Sequence, residues 1–330
     1  MMPTHTRFLI TGAKGCIGAW IVKNLVERGE RPVILDIDTG AHRLEALLSP
    51  EQISLIQFVQ GDVTSFDDLD RCVAENGITH LLHLAALQVP ACAADPLLGA
   101  KVNVLGTLNI LEVARKRREQ VQKIVYASSA AVFGPEEFYG GAMVQEGAPL
   151  LPGTHYGVFK QCNEGSARVY FLNNGISSVG LRPWAVYGVG RDQGITSGPT
   201  KAVKASVVGR PYVMKFTGQI DMQYVDDCAR IFLRCAESDL PGARVYTLRG
   251  AVVRLEDFVR TLEEVYPRSR GLIGAKGKHL PIAADLDDSA LVRDLGDVPR
   301  RSLAAGIRET IAIFERLQRE GRLDTKDLEQ

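Results

Sequence analysis

A tyrosine and a lysine four residues apart, Tyr156 and Lys160, are the side chains of this sequence best suited to acid/base chemistry. On a helix this spacing puts both side chains on one face. A tyrosine normally ionises near pH 10, so a fixed cation one turn away is expected to favour the phenolate and lower its pKa. Ser129 can hydrogen-bond a substrate oxygen while Tyr156 moves the proton. The three side chains therefore predict proton transfer at a carbinol.

A glycine-rich segment near the start of the chain is suited to holding phosphate groups. Gly12, Gly15 and Gly18 follow a short apolar run, and a helical pattern opens at their end with Cys16 and Ile17. The first glycine allows a tight turn, the second lets the backbone approach a pyrophosphate, and the third allows close packing of helix on strand. Free amides at the helix start then bind the phosphates. The segment predicts a dinucleotide site.

Two carboxylates follow at the positions where an adenosine would lie. Asp36 ends the second apolar run, 18 residues after Gly18, and a carboxylate there accepts hydrogen bonds from ribose hydroxyls and repels a 2′-phosphate. No Arg or Lys directly follows Asp36, and Arg43 is the first candidate. NAD is therefore predicted rather than NADP. Asp62 and Val63 end the third apolar region, where the adenine amino group would meet a carboxylate; a turn or helix cap is the alternative for Asp62.

The elements that must position these residues alternate between short apolar runs and helical patterns. Near-continuous apolar strands joined by helices indicate a parallel sheet covered on both faces, and such a sheet binds ligands at the carboxyl ends of its strands. Ser129 lies just after the fifth run. We expect an α/β fold with a Rossmann-type doubly wound parallel sheet and a smaller C-terminal substrate-binding domain. The predicted strands are 8–11, 32–36, 55–59, 80–84, 123–127 and 177–181, and notable helical patterns between them are 97–118 and 156–173.

The character of the chain changes after residue 182, where Gly, Pro and Thr become frequent. We therefore predict a NAD-binding domain over 1–182, to which 222–266 returns. The segments 183–221 and 267–330 are predicted to form the substrate-binding domain.

Composition narrows the function classes. The 330 residues are 45% hydrophobic, and 39 Lys plus Arg balance 39 Asp plus Glu, so no basic surplus favours nucleic acid or an anionic membrane. No apolar stretch approaches the roughly 20 residues that span a bilayer, and the first residues show no apolar leader. The six cysteines lack metal-ligand spacing, so we expect reduced thiols and no metal site. We expect a cytoplasmic enzyme.

Taken together, the motifs resemble the extended short-chain dehydrogenase/reductase superfamily, and within it the NAD-dependent epimerase/dehydratase family. The resemblance runs from residue 7 to about 265 and is most specific over the first 190. The motifs that produce it are Thr11-Gly12-x-x-Gly15-x-x-Gly18, Asp36, Asp62-Val63, His83-Leu84-Ala85-Ala86, Asn103, Ser128-Ser129 and Tyr156-x-x-x-Lys160.

The resemblance implies roles for individual residues. Hydride would pass between the nicotinamide and a carbinol carbon, with Ser129, Tyr156 and Lys160 as the catalytic set. Asn103 would brace the helix of the active site, and Pro183 would begin the loop over the nicotinamide. Helices 97–118 and 156–173 also carry apolar residues, such as Leu111 and Leu172, on more than the one face that a sheet can cover, and the family implies a homodimer formed by this pair of helices. The further residues placed against the cofactor are Leu84, Ala85, Ala86, Ser128, Tyr156 and Lys160.

Two departures from the family pattern bear on the substrate. Ala185 and Ile220 stand where sugar-nucleotide enzymes have an Asn and an Arg, so a substrate without a nucleotide is predicted. Ala130 and Ala131 stand where dehydratases have an acidic pair, which argues against elimination of water. The predicted substrate residues are Gln88, Ser129, Ala130, Trp184, Thr196 and Ser197, with Arg191, Lys201 and Lys204 as further polar candidates.

The main hypothesis is an NAD-dependent oxidoreductase acting on a small hydroxylated substrate such as a polyol, sugar or sugar acid. An epimerase of sugars or nucleotide sugars that keeps its NAD is the alternative. A nucleotide-sensing regulator without chemistry is a third reading, against which the retained Ser129, Tyr156 and Lys160 argue.

Overall fold

A seven-stranded, all-parallel sheet forms the centre of the protein, in a computed structural model that describes residues 6–38 and 40–329. The strands of the described residues are β1 (Phe8–Thr11), β2 (Val33–Asp36), β3 (Gln57–Gln60), β4 (His80–His83), β5 (Lys123–Ala127), β6 (Ser178–Arg182), β7 (Ala185–Tyr187), β8 (Tyr212–Met214), β9 (Gln219–Tyr224), β10 (Ala243–Thr247), β11 (Ala251–Arg254) and β12 (Ile273–Ala275). The central order is β3-β2-β1-β4-β5-β6-β10. The strand order reverses between β1 and β4, and ligands bind at such a switch point in open α/β sheets. The expected doubly wound α/β fold is confirmed.

Helices cover both faces of this sheet and bury two apolar clusters. On one face α1 (Cys16–Glu27) and α10 (Val225–Glu237) pack together. On the other face α4 (Phe66–Glu75), α7 (Gly106–Lys116) and α8 (His155–Asn174) cover the strands. The helices are α1 (Cys16–Glu27), α2 (His42–Leu47), α3 (Pro50–Ile53), α4 (Phe66–Glu75), α5 (Val89–Ala94), α6 (Pro96–Ala100), α7 (Gly106–Lys116), α8 (His155–Asn174), α9 (Gly198–Val207), α10 (Val225–Glu237), α11 (Leu255–Val265), α12 (Ser289–Leu295) and α13 (Leu303–Arg319).

Helix α8, which holds Tyr156 and Lys160, has well-defined ends. Thr154 caps its start, because the threonine hydroxyl accepts a hydrogen bond from the Gly157 amide at 3.1 Å. Gly175 ends it in the left-handed conformation at φ 70°, which a glycine adopts without strain. These signals fix the helix within one residue of its predicted bounds.

The predicted helix 97–118 is interrupted. Between α6 and α7 the chain forms a π-helical turn at Lys101–Leu105. Asn103 lies in this turn and points inward, accepting from the Leu87 amide at 2.7 Å and donating to the Leu87 carbonyl at 2.9 Å. Single π turns are frequent at functional sites.

The run Pro96–Lys116 is the one segment of the described chain that has the length and apolar character to cross a membrane. The sequence analysis expected no such stretch. Half of the apolar window is buried inside the molecule, and core helices of soluble proteins have the same composition.

The third strand also differs from its predicted bounds, 55–59. Helix α3 begins with a capping box between Ser49 and Gln52, and its final turn continues through Leu55 and Ile56 by hydrogen bonds of 3.2 and 3.0 Å. The strand therefore starts only at Gln57, at the edge of the sheet.

The second half of the chain divides between the central sheet and two small sheets. Strand β10 joins the central sheet beside β6, whereas β7, β9 and β11 form a three-stranded sheet and β8 pairs with β12. The domain boundaries proposed from the sequence remain a prediction. All six cysteines lie within the described residues and are free.

Candidate functional site

A cavity of about 310 Å³ lies at the carboxyl ends of the central strands. It is bounded by the glycine-rich turn after β1, by the loops after β4, β5 and β6, and by the start of α8. Most of the predicted site residues meet here. Those that line the cavity are Gly12, Gly15, Cys16, Ile17, Gly18, Leu84, Ala86, Gln88, Ser128, Ser129, Ala130, Tyr156, Lys160, Pro183, Trp184 and Thr196.

Apart from two lysines described below, the predicted residues that lie outside the cavity lining are Asp36, Asp62, Val63, Ala85, Asn103 and Ser197. Ala85 lies behind the glycine turn, where its amide donates to the Thr11 hydroxyl at 3.4 Å. Val63 is buried and accepts from Asn109 through its carbonyl at 2.9 Å. Ser197 is buried at the start of α9, where its side chain makes no cap.

The glycine-rich turn forms a cradle that side chains would fill. At Gly12, where φ is +68°, a Cβ would lie 2.5 Å from the Ala85 amide nitrogen, and at Gly18 it would lie 2.4 Å from the Gly12 carbonyl oxygen. Helix α1 begins here without a side-chain cap. Its first amides therefore remain available to an anion, and the turn fits the pyrophosphate of a dinucleotide.

The sites predicted for adenosine lie at the ends of β2 and β3. Asp36 is partly exposed and accepts from the Asp38 amide at 3.3 Å. Asp62 accepts from the Thr64 amide at 2.8 Å, the turn that the sequence analysis left open as its alternative role. Arg43 is held by Asp192 through bonds of 3.1 and 2.6 Å and also donates to the Lys14 carbonyl. The guanidinium of Arg43 is therefore bound by groups other than Asp36.

The catalytic candidates come together as their spacing predicts. Tyr156 and Ser129, which lies in the loop after β5, line the same cavity, and the Ser129 hydroxyl acts to lower the pKa of the phenol. The Lys160 ammonium lies 5.5 Å from the centre of the Tyr156 ring and donates to the Ala127 carbonyl at 2.6 Å. Gly157 allows the start of α8 to pack closely against the Ala131 carbonyl, since a Cβ at this position would lie 2.2 Å from the carbonyl oxygen. The arrangement can transfer a proton to or from an oxygen in the cavity.

The electrostatics of this group differ from the sequence-based expectation. The pKa of Tyr156 is raised, because burial of the phenol outweighs the hydrogen bond from Ser129 and the charge of Arg191, which both lower it. Burial also lowers the pKa of Lys160 to about 8, against the opposing effects of Cys92 and Glu164. The expected lowering of the tyrosine pKa by Lys160 was therefore wrong for the protein alone. Arg191 is the cation whose charge acts on the phenol.

A buried ion pair holds the loop that carries Ser128 and Ser129. Glu164, one turn beyond Lys160, accepts from the Ser128 hydroxyl at 2.5 Å. Arg182 at the end of β6 binds both oxygens of the same carboxylate at 2.8 and 2.7 Å. Both charged groups are almost fully buried, so loss of either partner would leave an unpaired charge. The pair ties α8, the loop after β5 and β6 into one unit.

Asn103 supports the same helix from the other side. Its backbone carbonyl accepts from the Asn163 side chain at 2.9 Å, and Asn163 lies on α8. Its side-chain amide is bound to both backbone groups of Leu87 in the loop after β4. Asn103 therefore positions the helix and that loop from outside the cavity.

One part of the cavity wall was not predicted from the sequence. Leu280, Pro281 and Ile282 line the cavity together with the catalytic group, and Val89, Pro90 and Ile195 add further apolar surface to it. This loop is fixed by the Trp184 indole, which donates to the Ala283 carbonyl at 2.7 Å. The segment carries no motif, and it is brought to the site only by the tertiary fold.

Two polar candidates of the sequence analysis, Lys201 and Lys204, lie outside the cavity lining. Lys204 turns away to the C-terminal segment, where its ammonium binds both oxygens of Asp327 at 2.8 Å. Lys201 is buried on the same helix. Both belong to α9, whose contacts with α13 and the C-terminal segment orient these lysines. Arg191, by contrast, lines the cavity.

The sequence is similar to a known protein family and to known proteins. The model of the NAD dependent epimerase/dehydratase family matches residues 8–248. A UDP-glucose 4-epimerase of Mycolicibacterium smegmatis is 30% identical over 321 residues, which is 93% of this chain and 98% of that protein.

Solved structures with the same fold include both dehydrogenases and epimerases. A consensus L-threonine 3-dehydrogenase has a TM-score of 0.81 at 23% identity and covers 94% of this chain and 99% of its own. A UDP-glucose 4-epimerase of Thermus thermophilus, in complex with NAD, has a TM-score of 0.77 at 26% identity, with the same coverage of 94% and 99%.

Proposed function

Because this chain belongs to the NAD-dependent epimerase/dehydratase family, we propose that it is an NAD-dependent oxidoreductase acting on a carbinol of a small hydroxylated substrate. The substrate class is a polyol, a sugar or a sugar acid. We further propose a homodimer in the cytoplasm.

Bound NAD supplies the acceptor or donor of the hydride. The chain's own residues handle the proton and the geometry. Tyr156 takes the proton from the substrate hydroxyl during oxidation and returns it during reduction. Ser129 hydrogen-bonds the same substrate oxygen, and Lys160 holds a positive charge beside the phenol. Trp184 and the loop Leu280–Ile282 exclude water from one side of the cavity.

The observation that best supports this proposal is that Tyr156, Ser129 and Lys160 line the same cavity as the glycine cradle, with the Lys160 ammonium 5.5 Å from the centre of the Tyr156 ring. A dinucleotide on the cradle and a substrate at the phenol would then share one cavity. The three side chains come from two different elements, and the buried Glu164–Arg182 pair keeps these elements in register.

Two features support NAD over NADP. Asp36 ends β2 with its carboxylate partly exposed, and a 2′-phosphate would be repelled there. Arg43, the first cationic residue after Asp36 in the sequence, is bound to Asp192 and the Lys14 carbonyl.

An epimerase is the second candidate, because the relative from Mycolicibacterium smegmatis, a UDP-glucose 4-epimerase, matches over nearly the whole chain. Two positions argue against a nucleotide sugar as the substrate. Ala185 and Ile220 are 1% and 0% exposed within the small sheet, so neither presents a polar group to a diphosphate.

The two candidates differ in what happens to the cofactor. The purified protein is incubated with free NAD and a panel of aldoses, aldonates and polyols, together with UDP-glucose. Accumulation of NADH, followed by its absorbance, supports the dehydrogenase. Isomerisation of a sugar without net NADH supports the epimerase, and absence of both reactions contradicts the proposed function.

A further inference from the structure

Two cationic side chains line the cavity, and only one of them has a role in the proposed reaction. Lys160 lies behind the tyrosine and is bound to the Ala127 carbonyl. The other is Arg191, which follows β7 and enters the cavity from the side of Trp184 and Thr196. The proposed reaction assigns no binding partner to the positive charge of Arg191.

The guanidinium of Arg191 is held in place but not neutralised. Nη2 donates to the Thr196 hydroxyl at 2.8 Å, whereas Nε is buried and has no hydrogen-bond partner. The adjacent carboxylate, Asp192, is bound by Arg43 instead. Within the described chain, no carboxylate lies at ion-pair distance from Arg191. A partly buried cation in this state attracts an anion that can reach it.

The backbone around Arg191 is shaped to bring it toward the reacting centre. At Gly194, where φ is +90°, a Cβ would lie 2.0 Å from Oε1 of Gln88 and 3.2 Å from Nη2 of Arg191. A glycine at this position therefore leaves the space that the side chains of Gln88 and Arg191 occupy at the cavity wall. The charge of Arg191 also reaches the phenol of Tyr156, whose pKa it lowers.

We propose that Arg191 binds a carboxylate of the substrate, so that the substrate is a hydroxy acid whose carbinol faces Tyr156. This inference rests on the proposed function, since it assigns the substrate class of the same site. The free donors of the guanidinium can form charge-assisted hydrogen bonds with a carboxylate. Thr196 fixes the orientation of the guanidinium, and the apolar wall of Leu280 and Ile282 receives the rest of a small molecule.

The pyrophosphate of the cofactor is a second anion within the reach of this charge. The charge of Arg191 also opposes the rise that burial causes in the pKa of Cys16, which lines the cavity at the glycine cradle. The test must therefore separate a carboxylate on the substrate from a diphosphate on NAD.

Binding measurements make that separation without requiring turnover. The NAD-loaded protein is titrated calorimetrically with D-gluconate, D-galactonate and D-glycerate, and with the matching primary amides, which keep the hydroxyls and lose the charge. The variants are Arg191→Gln and Arg191→Lys, with the exposed Arg254→Gln as a control. Affinity for NAD is measured on each protein separately.

We expect at least one acid to bind wild type about 10- to 100-fold more tightly than its amide, as charge-assisted hydrogen bonds predict. Arg191→Gln should abolish this difference, Arg191→Lys should restore part of it, and Arg254→Gln should leave it unchanged. Affinity for NAD should stay within about threefold throughout.

Equal binding of every acid and its amide by wild type would overturn the inference. So would an Arg191→Gln variant that loses affinity for NAD and keeps the preference for the acid, because the guanidinium would then serve the cofactor diphosphate. If acids bind through Arg191 and no reaction follows, the proposed function fails while the carboxylate site stands. If neutral alcohols react and no acid binds, the carboxylate site fails while the proposed function stands.

Discussion

The phenol of Tyr156 lies in surroundings that oppose its ionisation. Burial raises its pKa, and the groups of the protein that act in the other direction are the Ser129 hydroxyl and the Arg191 guanidinium. A base at neutral pH must gain its negative charge from such neighbours. The reactivity of the site is therefore set by three residues from three separate loops and helices, and the spacing of Tyr156 and Lys160 describes only part of it.

Cofactor choice is also decided at a single residue. We expect wild type to use NAD with a higher kcat/KM than NADP, and Asp36→Ala to shift this ratio toward NADP by at least tenfold, because the repulsion of the 2′-phosphate is removed. Steady-state kinetics with both cofactors measure the ratio. Asp38→Ala, two residues away and exposed, serves as the matched control.

Equal use of the two cofactors by wild type would contradict the role of Asp36. An Asp36→Ala variant with an unchanged ratio would do the same.

The residues that could be predicted share a local sequence signal. Gly12, Gly15 and Gly18 act through their spacing on one turn, and Tyr156 and Lys160 act through one turn of helix. Ser129 was predicted because a parallel sheet brings the end of its fifth strand to the ligand. The wall formed by Leu280–Ile282 lies more than a hundred residues further along the chain and has no pattern of its own.

At the scale of elements, hydrogen-bonded side chains between strands and helices fix the site. The π-helical turn at Lys101–Leu105 exists where Asn103 binds the loop after β4. Hydrophobic periodicity gave the helical run but no sign of this turn, because the turn depends on a contact with a loop elsewhere in the chain. Much of the central sheet was predictable for the opposite reason, since strands such as β1, β2 and β5 contain continuous apolar runs of their own.

His83 is the buried link between β1, β4 and α7. Its Nδ1 is 2.7 Å from the Thr11 hydroxyl and its Nε2 is 3.1 Å from that of Thr107. Burial and the charge of Lys160 lower the pKa of His83 from 6.5 to about 3. Between these values the unfolded chain binds more protons at this site than the folded chain. His83 therefore stabilises the fold fully above pH 6.5, and this contribution is lost as the pH falls toward 3.

Urea unfolding at a series of pH values tests this link. The free energy of unfolding should fall from pH 6.5 toward pH 4 less steeply in His83→Gln than in wild type, because the amide can replace both hydrogen bonds and does not titrate. The exposed His155→Gln should retain the slope of wild type. An identical slope in His83→Gln and wild type would show that His83 is not buried in its neutral form.

At the scale of the whole molecule, two long helical segments carry several exposed apolar side chains. Leu97, Leu105, Val158 and Leu172 are 84%, 42%, 46% and 68% exposed. Of the residues that suggested a second apolar face from the sequence, Leu111 proves to be core, because it is fully buried against the sheet. A patch of this kind on α6 to α8 favours an isologous contact with a second copy.

Light scattering at micromolar concentration should therefore give the mass of a dimer. Leu172→Asp should shift the protein to the monomer mass, because a carboxylate would be buried in the contact. Val292→Asp, an exposed apolar position on α12, should leave the dimer intact. A monomer mass for wild type would contradict the dimer.

The size of the substrate is a property of the whole cavity. With Ala185 and Ile220 buried in the small sheet, a nucleotide diphosphate would lack its expected donors. We expect UDP and UDP-glucose to bind the NAD-loaded protein no more tightly than millimolar by calorimetry. A micromolar dissociation constant would instead favour a nucleotide-sugar epimerase, in keeping with the relative from Mycolicibacterium smegmatis.

The central claim, that Tyr156 transfers the proton in an NAD-dependent reaction, is tested most directly by Tyr156→Phe. With the best substrate of the panel and saturating NAD, we expect kcat to fall by about 100- to 10,000-fold, the usual contribution of a general acid/base group. Affinity for NAD should stay near that of wild type, because the glycine cradle and Asp36 are untouched. A Phe variant that retains more than about a tenth of the wild-type kcat would contradict the account.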